Sequence, residues 1–228
     1  MSITCIGVGP GDKELLTVKA VRLIKEADII MVPVKKRNSN KSTAFNIAQE
    51  YIEDISKVHY LYFPMIYFDK NNTAIKENFQ SNANKIKEYA ELGKKVVFLT
   101  LGDPSVYSTF SYIAPYLNNV DYVPGVASFL QGAAQIKQPL CIGQQSLAII
   151  NMTDNESHIR QAFKLHNNIV VMKVSSNPSL LYDLLSDGNW QFTFLSNLGM
   201  STESINNKLD FLKGKVPYFT VAQIKRRL

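Results

Sequence analysis

Leu99-Thr100-Leu101-Gly102-Asp103-Pro104-Ser105-Val106-Tyr107, at the end of the apolar run 96–101, places a glycine turn where a buried strand should stop. Its counterpart is Gly7-Val8-Gly9-Pro10-Gly11-Asp12, at the end of the apolar run 3–8. Open α/β sheets hold their ligands at such strand ends. Glycine leaves bare backbone there, so a small polar molecule can lie against the peptide groups themselves. The two turns point to an α/β protein with an enzyme-like site.

Working outward, apolar strands alternate with helical patterns along most of the chain. In the first half, strands are expected at 3–8, 29–32 (ended by Pro33), 58–61, 96–101 and 121–123. Between them, Thr17 caps a helix in which Val18, Val21 and Ile24 recur and Ala27 closes the stripe. Further helices are expected at 43–53, 73–92 (stopped by Gly93), 106–116 and 128–135. The strands are short and almost wholly apolar, as in a sheet covered on both faces. Residues 137–145, with Pro139 and Gly143, break the pattern and divide a domain over 1–136 from a second over 146–228. There, strands at 146–150, 169–174, 191–196 and 218–224 alternate with helices at 156–164 and 178–185, and a loop holds Gly199.

The 228 residues are 46% hydrophobic and 19% charged, enough apolar surface for one large or two small cores. No apolar run approaches the ~20 residues of a membrane span, and the start of the chain is not leader-like, so a cytoplasmic location is expected. Cys5 and Cys141 form neither a disulfide framework nor a metal spacing and read as small buried hydrophobes. His59, His158 and His166 make no ligand pattern, so no metal site is expected. The formal charge of +6, with basic runs at Lys35-Lys36-Arg37 and Lys225-Arg226-Arg227, suits a solvated face or an acidic partner. Tyr62, Phe63, Tyr67 and Phe68 are not interleaved with basic residues, which disfavours nucleic acid, and a polycarboxylate fits the charge as well.

The glycine turns are not nucleotide motifs. A dinucleotide fingerprint needs glycine at position 12, where Asp12 stands, and no turn ends in the Gly-Lys-Ser/Thr of a phosphate loop. At the second turn, the Asp103 carboxylate can take up an amine or hydroxyl of a ligand, or cap a following helix.

The first turn with Glu14-Leu15-Leu16-Thr17-Val18-Lys19-Ala20 and Ala27-Asp28 resembles the opening signature of the tetrapyrrole (corrin and porphyrin) methylases. Leu101-Gly102-Asp103-Pro104 resembles that family's second motif and Pro124-Gly125-Val126 its third. Phe63-Pro64-Met65, Ser105 to Phe110, Ala127-Ser128-Phe129, Pro139-Leu140 and Met172-Lys173-Val174 resemble the branch that methylates carbon 20 of precorrin-2 or its cobalt complex in cobalamin synthesis. The resemblance runs from about residue 3 to residue 224.

It implies two α/β domains of the class III methyltransferase fold with the cofactor in the cleft between them, and a homodimer. It implies S-adenosylmethionine as cofactor, leaving as S-adenosylhomocysteine, and a small tetrapyrrole as substrate; the short apolar runs add the expectation of no membrane partner. The family's cofactor contacts fall on Pro10, Leu101, Gly102, Asp103, Val106, Ala127, Ser128, Met172 and Gly199. Lys13 replaces a common proline, Ala127 a more usual hydroxyl residue, and the segment 196–199 matches poorly. Asp103 and Tyr107 are the candidates nearest the motif for handling a proton. Lys35, Lys36 and Arg37 are the expected partners of the substrate carboxylates. Another corrin or sirohaem methylase and an RNA methylase of the same fold are the rival readings. A binding module without catalysis is the third.

Overall fold

The computed structural model describes residues 2–64 and 72–227. Met65, Tyr67 and Phe68 of the sequence reading lie outside them. The chain forms two compact units, Met1–Ala127 and Ser128–Leu228.

The first unit holds a five-stranded parallel sheet of β1 (Ser2–Gly7), β2 (Ile29–Val34), β3 (Val58–Tyr62), β4 (Lys95–Thr100) and β5 (Val120–Val123), ordered β3-β2-β4-β1-β5. Alternate residues of each strand supply different cores, because successive side chains leave opposite faces of a sheet. Ile3, Cys5, Met31, Phe98 and Leu61 pack under α3 (Thr73–Glu91) and the short 3-10 turns Thr109–Tyr112 and Ala114–Tyr116. Ile6, Ile30, Val32, Val97 and Leu99 pack under α1 (Val18–Glu26) and α2 (Thr43–Ala48). Phe98 and Phe110, fully buried with ring centroids 5.0 Å apart, anchor the first core, each worth about 1.5–3 kcal/mol of burial.

From β1 the chain crosses towards β2, whereas from β4 it crosses over β1 to β5. The order therefore reverses between β1 and β4, the place where such sheets open a crevice beyond their carboxyl ends. Both glycine turns lie there.

Several local expectations change. Thr17 caps α1 by accepting the Ala20 N–H at 3.1 Å, but Val18 is 88% exposed and the buried stripe is Ala20, Ile24 and Ala27. Val18, two positions before Ala20, falls on the opposite side of a 3.6-residue helix. Pro33 lies inside β2 and not at its end: beyond Met31 the strand pairs only with β3, so a residue lacking an N–H is tolerated. The expected helix 106–116 is only two 3-10 turns, since Tyr107 takes a left-handed backbone (φ 51°) and Pro115, at the start of the second turn, has no N–H to bond back to the first. Cys5 is buried, as expected, and burial pushes its thiol pKa up, but Cys141 is exposed in the irregular stretch before β6.

The second unit opens with α4 (Ser128–Gln135) and carries a mixed sheet ordered β6-β7-β10-β8-β9. Its strands are β6 (Leu147–Asn151), β7 (Asn168–Met172), β8 (Trp190–Ser196), β9 (Ser204–Asn206) and β10 (Thr220–Arg226). One face packs on α5 (Glu156–Leu165) and α6 (Pro178–Leu185) through Phe163, Leu181, Phe194 and Ala222. The stretch 137–145, expected to divide the domains, lies inside this unit. Helix α4 belongs there because the Phe129 carbonyl accepts from Gln223 Nε2 at 2.8 Å and a Cβ on Gly132 would meet Leu195 at 2.9 Å. The end of β7 also moves: Lys173 is left-handed (φ 54°), which turns Val174 into a 3-10 turn and ends the strand at Met172. Strand β9, three residues long, had no sequence signal.

Candidate functional site

Where the sheet order reverses, three backbones meet. Gly102 donates its N–H to the Gly9 carbonyl at 2.8 Å and accepts from the Gly9 N–H at 3.2 Å, so the two turns form one antiparallel bridge. Both glycines have positive φ, 79° and 69°, which an L-residue adopts only at a cost. Gly7 and Gly125 are required for space. A Cβ on Gly7 would lie 2.6 Å from the Gly102 carbonyl oxygen and 2.7 Å from Gly125 N, and one on Gly125 would strike the Gly102 and Gly7 carbonyls. A Cβ on Gly102 would meet nothing within 4 Å. The tightly packed glycines therefore support an open one, and the space beside Gly102 has room for a ligand against bare backbone.

Asp103 locks this arrangement. One carboxylate oxygen accepts the Gly125 N–H at 2.9 Å; the other accepts the Ser105 N–H at 2.8 Å and the Ser105 hydroxyl. Burial works to raise the carboxyl pKa, but the hydrogen bonds from Ser105 and Gly125 outweigh it and hold the group below the usual carboxylate range. Of the roughly four acceptor positions on a carboxylate, three are occupied within the chain. Asp103 is an anionic strut first, with one acceptor position left for a ligand, and its low pKa makes it a weak base. This brace between β4 and β5 was invisible in the sequence, because Gly125 is 22 residues away.

The other expected positions divide by unit. In the first, Leu101, Val106 and Gly102 are partly buried, Pro10 and Ala127 are buried, and Tyr107 is 49% exposed. The Tyr107 backbone is held by its neighbour: Ser108 is buried, its hydroxyl 2.8 Å from that of Thr100, and it caps the Phe110 N–H at 3.1 Å. Asp12 caps the turn Lys13–Leu15 through the Glu14 N–H at 2.9 Å, and Lys13 pairs with Glu50. Lys35, Lys36 and Arg37 follow β2 and are all exposed, and the Arg37 guanidinium lies over the Tyr62 ring at 5.3 Å. Desolvation by the surrounding chain lowers the Lys35 ammonium pKa.

In the second unit, Ser128 opens α4 and Met172 ends β7, both partly buried. Gly199 is exposed, with positive φ (72°), and its N–H is already given to Glu203 at 2.7 Å. Glu203 also accepts from the side-chain amide of Gln135, which fixes the loop after β8 against α4. That carboxylate was missed in the sequence, where nothing distinguishes it from a surface residue. Among the described residues, no cluster of His, Cys, Asp or Glu could hold a metal ion, and no helix is long and apolar enough to cross a membrane.

Residues 2–210 match the family model of the tetrapyrrole (corrin/porphyrin) methylases. The chain is 34% identical over 184 residues to the cobalt-precorrin-2 C(20)-methyltransferase of Salmonella typhimurium, covering 79% of this chain and 76% of that protein. It is 36% identical over 177 residues to a protein of Methanocaldococcus jannaschii named probable cobalt-precorrin-2 C(20)-methyltransferase, covering 75% and 71%. In fold it is similar to uroporphyrin-III C-methyl transferase from Thermus thermophilus complexed with S-adenyl homocysteine, with a TM-score of 0.67, 20% identity, and coverage of 99% of this chain and 97% of that one. With three of the family's motifs gathered at one reversal of strand order and a match over nearly the whole length, the chain belongs to the tetrapyrrole methylases.

Proposed function

We propose that this protein transfers a methyl group from S-adenosylmethionine to carbon 20 of cobalt-precorrin-2 in cobalamin synthesis. The observation that carries the reading is the Gly9–Gly102 bridge with open space beside Gly102, on motifs shared with a family whose similar members bear that activity in their names. The residues present fit the cofactor: backbone at Gly102 left uncovered by a Cβ, and a braced carboxylate beside it at Asp103.

In this reading Leu101, Gly102 and Asp103, with Pro10, Val106 and Ala127, hold the cofactor from the first unit. Ser128, Met172 and Gly199 serve it from the second, Gly199 through groups other than its committed N–H. The bound sulfonium supplies an already activated methyl group, which an enamine-like meso carbon can attack directly. The chain's own work is then mainly positioning, and holding reactants in line can supply ~7 to 11 kcal/mol of the barrier. The hydrogen bonds to Asp103 keep the turn in one shape before anything binds, so little ordering is left for the binding step. Of the two proton-handling candidates, Tyr107 is the better placed, being half exposed, whereas Asp103 is stabilised as its anion. Lys35, Lys36 and Arg37 meet the carboxylates of the macrocycle. The working form in this reading is a homodimer, the assembly the resemblance implies, acting in the cytoplasm.

Incubating the protein with methyl-labelled cofactor and with precorrin-2 in its cobalt and metal-free forms, then locating the label by NMR, tests the reading. A label at carbon 20 of the cobalt form is expected. No label at carbon 20 in either form would end the proposal, and labelling of the metal-free form alone would end its cobalt part.

A further inference from the structure

The loop that carries Gly102 and Asp103 is closed at its root by a feature the motifs leave unassigned. It leaves the sheet at Thr100, the last residue of β4, and ends at Ser108, which caps the turn Thr109–Tyr112. The seven residues between are partly buried or exposed apart from Pro104, yet the two that flank them are buried, Thr100 to 3% and Ser108 to 5% exposure. Their hydroxyls are 2.8 Å apart. Compact loops with joined ends are frequent carriers of function, because the join fixes the shape of what lies between.

Each arm of the loop is tied to a rigid neighbour. On the outgoing side, the Thr100 carbonyl accepts the Val8 N–H at 2.9 Å, and Gly102 is bridged to Gly9. On the returning side, the Ser108 hydroxyl also accepts the Phe110 N–H at 3.1 Å, and Phe110 is fully buried against Phe98. Directly before Ser108 stands Tyr107, whose left-handed backbone (φ 51°) is strained for a residue with a Cβ. Such a conformation persists where its surroundings over-determine it, and Ser108, bonded on two sides, is the fixed point next to it. Valine and alanine would fill the two buried places without any hydroxyl. The net stability gained from one hydrogen bond is small, so what the pair adds is direction: the two arms meet in one arrangement.

The second unit, taken by itself, has the same device. Ser196, the last residue of β8, has its hydroxyl 2.8 Å from that of Thr220, both fully buried, at the root of the loop that holds Gly199. There Thr220 donates to the Pro217 carbonyl at 2.7 Å, so Ser196 is the donor within the pair.

We propose that Thr100 and Ser108 are positioning residues for methyl transfer: their hydroxyl bond holds the loop 101–107 in its cofactor-binding shape before the cofactor arrives. This rests on the methyl-transfer reading above. A loop ordered in advance binds more tightly, because less freedom is lost on binding.

The test is affinity for S-adenosylhomocysteine by calorimetry on the full chain, with thermal unfolding of each variant. Thr100→Val, which keeps the shape and removes the hydroxyl, is expected to weaken binding about tenfold, and Thr100→Ser to recover most of the loss. Ser108→Ala should weaken binding at least as much, since it also uncaps Phe110. The double variant should bind no more weakly than Ser108→Ala, because both changes remove the same bond. Asn155→Ala, which uncaps α5 by removing the acceptor of the Ser157 N–H, should lower the melting temperature and leave binding unchanged. Wild-type affinity in Thr100→Val overturns the assignment, as do a serine variant no better than valine, additive losses in the double variant, or an equal loss in Asn155→Ala. Should Thr100→Val not fold, wild-type affinity in Ser108→Ala overturns it in the same way. If the wild-type protein itself binds no S-adenosylhomocysteine, both readings fall. If it binds and the variants match it, only the role of the hydroxyl pair falls.

Discussion

The Asp103 carboxylate accepts the backbone N–H of Gly125 at 2.9 Å, so the turn after β4 and the turn after β5 are one mechanical unit. A ligand lying on Gly102 is held by a backbone whose shape depends on Gly125, 22 positions beyond Asp103 in the chain.

Asp103→Ala should therefore lower stability as well as cofactor affinity. The Gly125 N–H loses its acceptor, at a cost of about 1–3 kcal/mol if no water replaces it. Asp103→Asn, which keeps an acceptor oxygen, should recover part of the stability. Because the folded pKa lies below the unfolded one, the ionised carboxylate stabilises the fold above about pH 4, the unfolded value, and that contribution fades as pH falls through the folded pKa. The gap between wild type and the asparagine variant, followed by thermal unfolding, should thus shrink in acid. A gap that widens there would contradict the brace.

Gly125→Ala and Gly102→Ala should fail in different ways. At Gly125 the new Cβ runs into the Gly102 and Gly7 carbonyls, backbone that cannot swing aside, and a loss of about 3 kcal/mol or more is expected. At Gly102 there is open space but a φ of 69°, so only about 1–2 kcal/mol of backbone strain should appear. Affinity for S-adenosylhomocysteine should nonetheless fall about tenfold, equivalent to 1.4 kcal/mol. Unfolding curves paired with calorimetry separate the two; a Gly102 variant with full affinity would show that the open space is not the cofactor's.

Changing Lys35, Lys36 and Arg37 together to glutamine should raise KM for the macrocycle and flatten its dependence on salt. Exposed charges each contribute about 0.2–1 kcal/mol and are screened by ions, so a rise of about tenfold at low ionic strength is the expected scale. Kinetics between low and high salt check it. The Arg37 change should also loosen its stacking on Tyr62 slightly, without altering cofactor affinity.

Much of the fold is legible in the residues because its signals are local. Apolar runs such as 96–101 and the capping Thr17 read correctly, and so does the stop at Gly93, whose φ is 77°. Two local signals were overruled by one backbone conformation each: Tyr107 broke the expected helix and Lys173 shortened β7, and neither residue type announces a left-handed turn. The glycine motifs by themselves determined that strand ends must approach something closely. Only the tertiary structure decided that Gly7, Gly102 and Gly125 approach one another, that Asp103 spends most of its acceptors on that packing, and that α4 belongs with the second sheet. Those facts follow from strand order and long-range contact, which neighbouring residues cannot encode, whereas turns and periodicity are set within a few residues of the chain.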